Sequence, residues 1–257
     1  RKKGVHMIFA AMLALGWLLG CVGAGGAGLT ITLLTVGFAI PIHTAIAVSL
    51  SCMTFTVLSG AISHYREGEV IAKLGSAVGI AGIAGALMGT HTAFMIPPEM
   101  LSPATAIMLL LTTALLYLQL FHPHLIADYV ARNKSSSTGS VFYMRSCAIG
   151  LLTGFLSGAF GIGATAFIQI SLMLFFGISL YSAIGTTMMI IFPIAAAGGL
   201  SYLAGGMMDP PVFVQTLAGL TIGSFIGAKF THLIPKERLR YLMISMPLIG
   251  GLLLLTH

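Results

Sequence analysis

Two stretches of the chain carry closely spaced glycines beside short apolar runs. One runs from Gly16 to Gly28. The other, Gly154 to Gln169, reads G-F-L-S-G-A-F-G-I-G-A-T-A-F-I-Q. Glycines at this density let a helix unwind. A helix that restarts after such a break presents free N–H groups and a partial positive charge, which together suit an anion. Side chains able to donate to oxyanion oxygens lie on the same or the following segments: Thr30, Ser49, Ser51, Thr165, Gln169, Thr186 and Thr187. With the break glycines Gly23, Gly25, Gly26, Gly161 and Gly163 they form the candidate substrate-contacting set. Each hydroxyl has a competing use, a bond to its own helix backbone. Gln169 has one too, an amide partner on a neighbouring helix, because a buried amide is costly unless paired.

Other chemistries are poorly served. The six acidic residues, Glu67, Glu69, Glu99, Asp128, Asp209 and Glu237, all fall at or between the ends of apolar runs. None sits mid-run, where a carboxylate would hold Na⁺ or relay a proton. Cys21, Cys52 and Cys147 are odd in number and lack C-x-x-C or metal spacing, so they read as small packed residues. A sulfur-transfer enzyme built on Cys21 or Cys52 would need an activating His or Lys, and none is evident beside them. The reading is therefore of a non-enzyme with no catalytic residue, no metal and no cofactor.

The elements that must position this set are membrane helices. Of 257 residues, 57% are hydrophobic and only 7% charged, and the mean hydropathy is +1.02. A soluble domain carries roughly 25% charged residues, so this chain cannot present a solvated surface. Its apolar runs approach the ~20 residues that cross a bilayer, and no short alternating strands suggest a barrel. The net charge of +6 comes from basic residues between apolar runs. That pattern fits cytoplasmic loops meeting anionic lipid rather than nucleic acid. Arg1-Lys2-Lys3 before an apolar run imitates a secretory signal, but the same region recurs later in the chain and is read as part of the mature protein.

That recurrence is an internal duplication. Sliding the chain by 138 residues pairs, without a gap, Gly16 with Gly154, Gly20 with Gly158, Gly23 with Gly161, Gly25 with Gly163, Ala45 with Ala183, Gly60 with Gly198, Gly68 with Gly206, Gly85 with Gly223, Gly89 with Gly227 and Glu99 with Glu237. The expected organisation is a first repeat over 1–121, a polar cytoplasmic linker over 122–145 and a second repeat over 146–257. Each half holds a glycine-broken helix pair and three transmembrane helices, 8–10 membrane segments in all. The pairs Gly85/Gly89, Gly223/Gly227 and Gly16/Gly20 read as close helix packing. His43 and Tyr181 stand at equivalent helix entries, with His43 read as an interfacial cap, and Lys229 and His232 read as snorkelling.

Charge sets the expected orientation. The 64–73 loop is basic (Arg66, Lys73) while the 205–211 loop has only Asp209. In the other pair of loops, 229–240 carries Lys229, Lys236, Arg238 and Arg240 while 97–101 carries no basic residue. Equivalent loops of opposite charge imply opposite sides of the membrane, hence an inverted repeat, at the cost of Arg1, Lys2 and Lys3 falling outside. Inversion needs an odd number of crossings per half, so each broken segment either returns or crosses as two short helices. Inverted repeats with interrupted helices place a substrate near the midplane between the breaks.

The duplicated G-x-x-x-G-x-x-G-x-G, A-I-G-T-T at 183–187 and I-P-K-E-R-L-R at 234–240 together resemble the sulfite exporter TauE/SafE family of membrane permeases over essentially the whole chain. The resemblance implies a multi-pass protein of the bacterial cytoplasmic (inner) membrane that moves sulfite or a small organosulfur anion. Family copies often read G-x-G-G-G with proline four residues on. Here the second copy has Gly161-Ile162-Gly163-Ala164-Thr165 and Gln169, and the first has Gly23-Ala24-Gly25-Gly26-Ala27 and Ile31. These departures fall where substrate is expected. The resulting expectation is a secondary transporter with alternating access. An anion channel of the same architecture and a permease for a small carboxylate are the alternatives. The partners expected are the sulfur-containing anion, membrane lipid and a second copy in a homodimer, with no nucleic acid.

Overall fold

The computed structural model describes residues 2–22, 27–121, 139–228 and 236–256. Among these residues the chain forms ten helices and no strand. In the first half they are α1 (Lys2–Val22), α2 (Ala27–Thr32, continued by a π-helical turn, Leu33–Gly37), α3 (Ile42–Arg66), α4 (Ala72–Met95) and α5 (Pro98–Phe121). In the second they are α6 (Ser140–Phe160), α7 (Thr165–Phe176), α8 (Leu180–Ala204), α9 (Pro210–Ala228) and α10 (Lys236–Thr256). Each element starts 138 residues after its counterpart: 2 and 140, 27 and 165, 42 and 180, 72 and 210, 98 and 236.

Six helices, α3, α4, α5, α6, α8 and α9, are long and apolar enough to cross a membrane, and shorter apolar stretches lie in α1 (Met7–Cys21), α2 with its π-helical turn (Ala27–Gly37), α7 (Thr165–Phe176) and α10 (Arg240–Thr256). The chain is an all-α polytopic membrane protein. The linker is shorter than the apolar pattern implies. α6 reaches back to Ser140, because Val141 to Met144 extend its apolar face and Arg145, half-exposed, donates from Nη1 to Phe175 O at 2.9 Å. The rest of the linker, and Lys229 and His232, lie outside the described residues.

The halves exchange helices. α6 packs along α4, and α1 along α9, through glycine seams that match contact for contact. A Cβ on Gly154 would strike Gly82 backbone, and one on Gly158 would strike Ala86 backbone; likewise Gly16 abuts Leu220 and Gly20 abuts Ser224. From the other side, Gly85 and Gly89 abut Leu151 and Phe155, as Gly223 and Gly227 abut Leu13 and Trp17. Both seams run parallel. In a bilayer, where lipid is as apolar as leucine, such close backbone approach is a main source of helix association.

α3 and α8 form the centre. Ala45 to Leu50 on α3 are at most 1% exposed, and Ile190, Ile191, Ile194 and Ala195 on α8 are fully buried. These two equivalent helices cross antiparallel: Leu50 and Ser51 lie against Gly198 and Gly199, and Gly60 lies against Met188. α5 and α10 are also equivalent and also antiparallel, with Phe121 near Tyr241 (ring centroids 5.3 Å) at one end and Ala106 and Leu110 against Gly251 toward the other. The turns leaving α3 and α8 repeat as well. Glu69 N–H donates to His64 O, and Met207 N–H to Tyr202 O, both at 3.1 Å.

Candidate functional site: the second helix break

α6 ends at Gly161, whose N–H donates to Ser157 O at 2.8 Å. Gly161, Gly163 and Ala164 then take φ of +69°, +72° and +46°. Two of these three left-handed positions are glycine, which reaches them without the Cβ clash. The first two also lack room. A Cβ on Gly161 would come within 2.8 Å of Ile46 Cγ2, and one on Gly163 would meet the Met53 thioether. The break is thus wedged against α3 of the other half.

α7 starts at Thr165, and Ile168 N–H is the first of the helix to reach a carbonyl, Ala164 O at 2.9 Å. Among the described residues, the N–H groups of the six residues from Ile162 to Phe167 make no hydrogen bond of comparable geometry. Yet Ile162 is 7% exposed, and Ala164 and Ala166 are fully buried. A buried donor without a partner costs about 1–3 kcal/mol, and native proteins rarely leave several together. A run of free donors at a helix N-terminus favours an acceptor of negative charge.

α7 returns beside α6. Phe142, near the start of α6, stacks edge-on with Phe176 at the end of α7 (centroids 5.5 Å), and the Arg145–Phe175 bond closes the same end. The second broken segment is therefore a helical hairpin that enters and goes back. α6 runs 21 residues, about 31 Å at the helical rise, before it breaks. The apex rests against the first half of α3, Gly161 at Ile46 and Gly163 at Met53, and Gly158 just before it lies beside α8, where Tyr202 Oη–H donates to Gly158 O at 3.2 Å.

The candidate residues fall into separate places. Gly161, Gly163 and Thr165 form the break itself. Ser49, on α3 near it, donates its hydroxyl to Ala27 O at 3.0 Å, tying α3 to the start of α2. Ser51 lies against Gly199. Thr186 is fully buried, but its Oγ1 accepts Ile71 N–H at 3.1 Å. Ser51 and Thr186 are thus separated by thirteen residues of α8, roughly 20 Å. Thr187 is fully buried and its hydroxyl has no hydrogen-bond partner among the described residues. Thr30 is buried and bonded. Gly23, Gly25 and Gly26 lie outside the described residues. Among the described residues the candidates do not converge on a single point.

Gln169 resolves its competing uses in favour of a partner. Gln119 Nε2 donates to Gln169 Oε1 at 2.8 Å, and the two amides are 7% and 8% exposed. Gln119 Oε1 is left buried without a donor. Gln119 stands two residues before the end of α5. The signal that marks it is a lone amide within an otherwise apolar last turn.

At the other end of α3, His64 Nδ1–H donates to Glu69 Oε2 at 2.7 Å, Glu67 Oε2 lies 3.7 Å from the same nitrogen, and Ser63 Oγ–H donates to Glu67 Oε1 at 3.0 Å. His64 and Glu69 press on Gly185 of α8, which brings a carboxylate about one turn past the start of that helix. His43 is a cap: its Nε2–H donates to Ala93 O at 2.9 Å, closing the end of α4. Cys21 and Cys52 are buried and Cys147 exposed.

Fold and break together define a duplicated polytopic membrane protein with a buried, donor-rich helix interruption. The chain belongs to the family described as sulfite exporter TauE/SafE, whose model matches residues 8–254. It is 43% identical over 249 residues to the Probable membrane transporter protein YdhB of Bacillus subtilis (strain 168), covering 97% of this chain and 99% of that protein. The Probable membrane transporter protein YjnA of the same organism is 26% identical over 256 residues, 95% of this chain and 96% of that protein. A Probable membrane transporter protein of Xylella fastidiosa (strain 9a5c) is 25% identical over 214 residues, 82% of this chain and 79% of that protein. No solved structure matches. The chain is a membrane transporter.

Proposed function

We propose that the protein is a secondary transporter for sulfite or a small organosulfur anion, working by alternating access between inverted halves. The observation that carries the anion is the run of N–H groups from Ile162 to Phe167 without a hydrogen bond of good geometry among the described residues, at a helix start where Ile162, Gly163, Ala164 and Ala166 are buried. Thr165 stands at the start of the helix that follows and Gln169 one turn on; with Gln169 Oε1 held by Gln119, its Nε2 is the group offered to the anion. The antiparallel crossings of α3 with α8 and of α5 with α10 support inversion. With it, Arg66, Lys73, Arg132, Lys134, Arg145, Lys229, Lys236, Arg238 and Arg240 share the cytoplasmic side. The start of α3 then faces the outer side of a bacterial inner membrane. Family membership supports sulfur as the central atom.

The test is binding by purified protein, read as thermal stabilisation by sulfite, thiosulfate, taurine, sulfate, acetate and malonate at equal concentration. Stabilisation by sulfite or a sulfonate, tenfold or more below the concentrations needed for the carboxylates, is the expected result. Equal response to carboxylates removes sulfur from the reading, and no response to any anion removes the anion site.

A further inference from the structure

We propose that the groove between the last turns of α3 and the middle of α8 seats one anionic phospholipid, with an acyl chain in the groove and the phosphate on Arg66. The groove encloses about 280 Å³. Its floor is apolar, formed by Leu58 and Ile62 of α3 and Met189 and Phe192 of α8, and its rim carries Tyr65 and Arg66. The step from Leu58 to Arg66 is eight residues, roughly 12 Å along the helix. A chain lying along the floor thus brings its headgroup to the guanidinium.

Arg66 is available for that headgroup. Its two acidic neighbours in sequence are engaged elsewhere: Glu67 by Ser63 and His64, and Glu69 by His64. Among the described residues Arg66 makes no hydrogen bond or ion pair. A guanidinium binds phosphate in a fork of two parallel bonds, and Tyr65, 63% exposed, is a residue type that settles at the headgroup level.

The duplication does not account for the feature. The positions equivalent to Tyr65 and Arg66 in the other half are Leu203 and Ala204, so the cationic rim exists at one end of the α3–α8 pair only. That this end faces the cytoplasmic leaflet, where anionic lipid gathers, rests on the inverted arrangement proposed above. The site itself does not. Because the groove is walled by both halves, its occupant braces the crossing that alternating access would have to move.

Native mass spectrometry of the purified protein tests this with no transported anion present, so its outcome is independent of the substrate reading. The probes are phosphatidylglycerol and phosphatidylcholine with identical chains, and glycerol phosphate as the headgroup alone. One phosphatidylglycerol is expected to be retained about fivefold over phosphatidylcholine, the value of one basic residue at an anionic surface. Glycerol phosphate is expected not to compete. Arg66→Gln, at an exposed position that leaves the core untouched, is expected to bring the two lipids level. Lys73→Gln, which removes a nearby charge that does not line the groove, is expected to preserve the preference. Ala61→Trp, which fills the floor, is expected to reduce retention of both. Arg66→Gln keeping the full preference, or glycerol phosphate displacing the lipid, overturns the proposal.

Discussion

Glycine serves two unlike purposes in this molecule. In the α4–α6 and α1–α9 seams the glycines are helical, and what a side chain would meet is backbone: Gly82 and Ala86 on one side, Leu151 and Phe155 on the other. At the second break the glycines have positive φ, and what a side chain would meet is the end of a side chain, Ile46 Cγ2 or the Met53 thioether. Backbone cannot yield without parting the helices; a thioether can turn aside. The difference separates glycines that hold the fold from glycines that shape a site. Glycine spacing alone does not reveal it, since both kinds occur within Gly154 to Gly163.

The largest expected effect lies in the seam. Gly154→Leu would drive α6 away from α4, and overpacking of this kind costs about 1–3 kcal/mol or more. It is expected to lower the yield of folded protein in detergent several-fold, with Gly16→Leu, its counterpart against Leu220, behaving alike. Normal yield and melting temperature for Gly154→Leu would dissolve the distinction between seam and break. The next effect lies in the break. Gly163→Ala places a β-carbon at φ +72°, which costs roughly 1–2 kcal/mol, and turns the Met53 methyl aside. Folded protein is expected in near-normal yield, with anion stabilisation lost. If Gly163→Ala binds as well as the parent, the break is a kink and not a site.

How far the sequence could be read follows the same division. Duplication and element order were legible because equivalent glycines recur at a constant offset, and every helix start obeys it. The seat of the break was not. Nothing in Gly154-to-Gln169 states that α6 runs a full 21 residues before unwinding, or that the break rests on Ile46 and Met53 of the other half. Nor were the partners of the polar residues legible. Thr186 and Ser49 look alike as buried hydroxyls one repeat-position apart, yet one accepts from the Ile71 backbone and the other donates to Ala27 O. Such pairings depend on which helices meet in the fold, within one half for Ser49 and across the duplication for Thr186, over separations of 22 and 115 residues.

The amide pair tests whether the helix after the break is held as firmly as the seams. Gln119→Leu or Gln169→Leu alone leaves one buried amide without its partner, a loss of about 1–3 kcal/mol. The double replacement removes both polar groups and is expected to recover most of that stability. Anion binding should not recover with it, because the Gln169 amide is then absent from α7. A double variant that regains both stability and binding would make the pair purely structural. A double variant no more stable than either single would mean the two amides do not depend on each other.

The smallest effect is the most selective. Ser49 and Thr187 occupy equivalent positions on α3 and α8, but Ser49 bonds Ala27 O and Thr187 bonds nothing among the described residues. Ser49→Ala should therefore cost about 1 kcal/mol, the worth of one hydrogen bond. Thr187→Val keeps the shape and removes a hydroxyl that has no partner, so its effect on melting temperature should be near zero or slightly stabilising. A hydroxyl buried without a partner is a liability unless something else uses it. If an anion does so during transport, Thr187→Val will slow transport while leaving the melting temperature untouched. If transport is also unchanged, Thr187 belongs with the packed residues of α8, and the binding group contracts to the second break alone.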